Sequence, residues 1–101
     1  SMILAGVDAT GSKVLTTDPS GAFRGFKATA VGRKSEEANK LLEEKYVDGM
    51  SLDEAARLAV DAVKVASDME VTAKNVKVAA VSSKTMAFRR LSEEEVGKLL
   101  G

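Results

Sequence analysis

The chain reads as an α+β protein whose elements run in the order strand, strand, strand, helix, helix, strand, strand, helix. Three observations carry that reading. Residues 2–31 hold short β-prone runs separated by turn clusters. Residues 35–68 place apolar side chains at helical spacing, and the Val- and Ala-rich stretch after them returns to strand character before a capped terminal segment.

Met2 to Val7 is mostly apolar and meets Asp8-Ala9-Thr10-Gly11, beyond which Ser12 to Thr17 is again β-prone, so the pair predicts a hairpin. Asp18-Pro19-Ser20-Gly21 puts Asp first, Pro second and Gly fourth, the preferences of a type I turn. A third strand is expected over Phe23 to Val31, with Phe26, Ala28, Ala30 and Gly32 on one face and Lys27, Thr29 and Val31 on the other. Together the three segments predict an antiparallel meander.

The periodicity then changes. Ala38, Leu41, Leu42 and Tyr46 share one side of a helix while Glu36, Lys40, Glu43 and Glu44 take the other. Ser35 is the expected N-cap, with Glu36 and Glu37 favourable to the dipole, and Asp48-Gly49 the expected stop. Ser51-Leu52-Asp53-Glu54 has the spacing of a capping box. The helix behind it aligns Leu52, Ala55, Ala56, Ala59, Val63 and Ala66 in one stripe, with Asp53, Arg57 and Asp61 as spaced opposite charges outside. Val76 to Val81 reads as a buried strand, Ser82 to Thr85 as a turn, and Met86 to Leu91 as a last short strand. Ser92-Glu93-Glu94-Glu95 is a second capping box, Leu91 and Val96 are placed to form a hydrophobic staple, and the helix reaches Leu100.

At 101 residues the chain is at most one small domain, which buries about two-thirds of its unfolded surface. Apolar residues are 45 % of it but aromatics only 4 %, so burial must come from Ala, Val and Leu. Lys plus Arg equals Asp plus Glu at 15 each, which argues against nucleic acid and anionic membrane as partners and is compatible with an assembled state. No cysteine is present, so disulfides and thiolate metal sites are excluded; a reducing compartment fits, and the cytoplasm is the expected location. Without histidine, catalysis would fall to carboxylates, Lys, Ser or Thr. No apolar stretch approaches the roughly 20 residues of a membrane span.

Ser1 invites comparison with hydrolases whose first residue attacks and whose own α-amine is the base. No supporting groups or oxyanion donors are identifiable, so Ser1 is read as the start of a strand. Gly32-Arg33-Lys34-Ser35 lies between a strand and a helix, where N–H groups and the dipole could hold an anion. The phosphate-loop pattern fails at Lys27 and Arg33, and a solvated turn with a capped helix accounts for all four residues. The carboxylates Glu36/Glu37, Glu43/Glu44, Asp53/Glu54 and Glu93 to Glu95 are read as solvated faces or dipole complements. Met50, Met69 and Met86 are read as core or turn packing. No catalytic, cofactor-binding or metal-ligating residue is therefore assigned, and no cofactor is expected.

Several of these runs together carry a family likeness. Met2-Ile3-Leu4-Ala5-Gly6-Val7-Asp8, Asp18-Pro19-Ser20-Gly21 and Phe26-Lys27-Ala28-Thr29-Ala30-Val31-Gly32 occur in the order found in the second half of proteasome α-type subunits, particularly archaeal ones. The resemblance continues through Leu41-Leu42-Glu43, Tyr46, Met50 to Ala55 and Arg90 to Glu95, nearly the whole chain. It implies an αββα sandwich of the N-terminal-nucleophile-hydrolase type, of which residues 1–101 would be the C-terminal half. It also implies a non-catalytic role in assembly, gating and docking, with α-type and β-type subunits as partners. Catalytic β-type subunits usually carry Gly-Ser-Gly-Ser where this chain has Gly32-Arg33-Lys34-Ser35. They also place Asp-x-x-Ser-Gly where it reads Asp68-Met69-Glu70-Val71-Thr72. A β-type or bacterial-type threonine peptidase whose nucleophile lies upstream, and an independent anion-binding module, are the alternatives. A chain of this extent is expected to be a truncation product or designed fragment with unpaired sheet edges, stabilised by self-association or strand exchange.

Overall fold

The computed structural model describes residues 2–100. Three strands come first: β1 (Met2–Asp8), β2 (Gly11–Thr17) and β3 (Phe23–Phe26). They form one antiparallel sheet in the order β1-β2-β3. Asp8 pairs with Gly11 across the first turn, where the carboxylate oxygen Oδ1 of Asp8 accepts the Thr10 N–H at 2.7 Å and Gly11 takes φ 114°, a value open to glycine. At the second turn the Gly21 N–H donates to the Asp18 carbonyl at 3.0 Å, and the Asp18 carboxylate also accepts from the Ser20 and Ala22 N–H groups. Those bonds are the physical content of the Asp-Pro-Ser-Gly signal.

The third strand is shorter than the sequence predicts, because it stops at Phe26 and residues 27–34 run as bends and coil. The alternation that suggested a strand nevertheless has a role. Ala28 and Ala30 turn inward against the helices, while Val31 is exposed.

Helices α1 (Ser35–Lys45) and α2 (Leu52–Ala66) follow as a hairpin, then β4 (Ala79–Val81), β5 (Phe88–Arg90) and α3 (Glu93–Leu100). The strands β4 and β5 form a separate two-stranded antiparallel sheet, much shorter than the segments read as strands. Ala79 is exposed, so the expectation of a buried strand from Val76 to Val81 is corrected to a short, partly buried rung. α1 is capped not by Ser35 but by Lys34, which takes a left-handed conformation (φ 58°) with no side-chain capping bond, and Ser35 is the first helical residue. Its last residue is Lys45, and Gly49 (φ 88°) turns the chain toward α2.

α2 carries both capping-box bonds, Glu54 N–H to Ser51 Oγ and Ser51 N–H to the Glu54 carboxylate. Its buried face differs from the predicted stripe. Leu58 and Ala62, four residues apart, pack with Ala38 and Leu42 of α1 into the main cluster, joined by Tyr46, Met50 and Ala28 at its edge. Val60 lies on the opposite side of the helix and is also buried, where α2 meets α3 with its buried Val96 and Leu99. On that side the Lys64 ammonium donates to the Leu100 carbonyl at 3.2 Å, satisfying a C-terminal acceptor of α3. Leu52, Ala55, Ala59 and Val63, from the expected stripe, are exposed.

Candidate functional site

A groove of about 560 Å³ lies between the three-stranded sheet and the helix hairpin. Ile3 and Val14 line it from the sheet, Ala55, Ala59 and Val63 from α2, and residues 27–31 close one side. Its walls are overwhelmingly apolar, which explains where the unburied part of the predicted α2 stripe points. The groove thus separates the face of the three-stranded sheet that carries Ile3 and Val14 from the Ala55, Ala59 and Val63 side of α2.

One polar contact fixes the wall formed by residues 27–34. Asn39, half-buried on α1, accepts the Ala30 N–H through Oδ1 at 2.9 Å and donates from Nδ2 to the Ala30 carbonyl at 3.1 Å. Both backbone groups of an irregular, partly buried residue are thereby satisfied by a single amide, as a strand neighbour would satisfy them. Sequence reasoning did not single out Asn39. The signal was present, since Asn39 falls three residues before Leu42 and seven before Tyr46, on the apolar side of the helix.

The Gly32 to Ser35 turn lies at the mouth of the groove, and its cations are committed. The ammonium of Lys34 is hydrogen-bonded to the Asp68 carboxylate just beyond α2, and the Arg33 guanidinium lies 3.7 Å from the same group. Asp68 raises the pKa of Lys34 above its ordinary value, chiefly through that hydrogen bond. The turn thus ties the start of α1 to the end of α2, a structural use of the charge that an anion cradle would need.

The carboxylate groups of the sequence reading sit apart from one another. Glu36, Glu37, Glu43, Glu44, Asp53, Glu54, Glu93 and Glu94 are exposed, and among the described residues no three acidic side chains converge as metal ligands. Glu54 and Glu95 act as capping groups; Glu95 accepts the Ser92 N–H at 2.9 Å and also pairs with Arg89. Lys27 pairs with Asp48 at 2.8 Å on the surface beside Tyr46. Asp53, Arg57 and Asp61 are exposed and form none of the four ion pairs among the described residues. Of the methionines, Met50 packs on the core, whereas Met69 and Met86 stand exposed in connections, which corrects the expectation of packing there. Ser1 lies outside the described residues.

Two antiparallel sheets, a helix hairpin and a terminal helix, with an apolar groove between the larger sheet and the hairpin, define an α+β protein. The chain belongs to the proteasome subunit family, whose profile it matches over residues 1–81. It is 40 % identical to the proteasome subunit alpha of Methanopyrus kandleri over 98 % of its own length. It is 42 % identical to that of Pyrococcus abyssi over 100 % of its length, and 36 % identical over 95 % to a probable proteasome subunit alpha type-2 of Schizosaccharomyces pombe. The chain spans only about two-fifths of these relatives, 39 %, 38 % and 43 % of their respective lengths.

Proposed function

We propose that this chain is the C-terminal half of a non-catalytic α-type subunit of the proteasome core particle, and that its role is structural. The observation that carries the reading is the likeness to α subunits along virtually the whole chain, at about 40 % identity in archaeal relatives. In this reading the three-stranded sheet and the β4–β5 pair are parts of the two central sheets of an αββα sandwich, flanked by the helices. The groove supports it, because an apolar sheet face separated from α2 in this way is a layer that further chain completes.

The partners are then α-type neighbours in a ring and the β-type subunits that hold the proteolytic threonine, with self-association of the isolated chain as a further contact. The location is cytoplasmic. No helix among the described residues is long and apolar enough to cross a membrane. The test is co-expression of this chain with the remaining part of an archaeal α subunit, followed by native mass spectrometry. Incorporation into α rings, with no hydrolysis of fluorogenic peptides by the chain alone, is the expected result. Peptide turnover by the purified chain, lost on replacing Ser1, would sink the reading.

A further inference from the structure

We draw no further inference here: the strongest candidate, the apolar groove between the three-stranded sheet and the α1–α2 hairpin, belongs to the site already described, and nothing in the structure shows what covers it.

Discussion

Asn39 shows how much one side chain decides. Residues 27–34 have no strand neighbour on the helix side, yet Ala28 and Ala30 must sit against the core. The amide of Asn39 makes that possible by satisfying both backbone groups of Ala30. Replacing Asn39 by Ala removes two hydrogen bonds and leaves half-buried polar backbone unpaired, so a loss of about 1–3 kcal/mol is expected in urea unfolding. Asn39→Asp should cost nearly as much, because the carboxylate accepts but cannot donate to the Ala30 carbonyl. A loss for Asp much smaller than for Ala would mean that the donated bond contributes little.

At the scale of elements, the two capping boxes were fully legible, because four residues in a row specify their own hydrogen bonds. Ser51→Ala should cost about 1 kcal/mol, measured as a lower urea midpoint at unchanged m-value. The boxes also set an acid response. The backbone N–H of Ser51 holds Glu54 below the ordinary carboxylate range, and that of Ser92, reinforced by Arg89, does the same for Glu95. A carboxylate whose pKa is lower in the folded state contributes stability that is present above its unfolded pKa and fades as pH falls through the folded one. The midpoint should therefore drop on acidification below about pH 4.3, and Glu54→Gln with Glu95→Gln should flatten that drop. An identical acid profile in the double variant would place the titration elsewhere.

What the sequence misplaced has a common cause. Lys27 to Val31 alternates like a strand, but a strand needs a neighbour to pair with, and here Asn39 takes that place after Phe26. α2 is alanine-rich around most of its circumference, so its pattern admits more than one inward face. Leu58, Ala62 and Val60 occupy the two buried sides because α1 and α3 offer partners there; the remaining side, Ala55, Ala59 and Val63, faces the groove. The partner of the Gly32 to Ser35 turn was out of view for a long-range reason, Asp68 lying 34 residues from Lys34. No local window contains that pair.

For the molecule as a whole, the buried hydrophobic side chains are few: Ala38, Leu42, Leu58, Val60, Ala62, Val96 and Leu99 among the described residues. Each therefore carries a large share of cohesion. Leu58→Ala should cost about 2–5 kcal/mol, enough to populate the unfolded state of a domain this size at room temperature. Thermal unfolding followed by near-ultraviolet or fluorescence signals of Tyr46 checks it, and a variant that unfolds with the parent's midpoint would show that the helix hairpin is not where the cohesion lies.

The groove has one more consequence, and it concerns heat. Apolar surface that remains wet in the native state contributes nothing to the heat-capacity increment of unfolding, which normally amounts to about 12–15 cal/mol/K per residue. An isolated copy with the groove open should melt with an increment below that range and with a flattened stability curve. Covering the hollow would steepen the curve, so calorimetry reads directly how much of this chain's interior another polypeptide must supply.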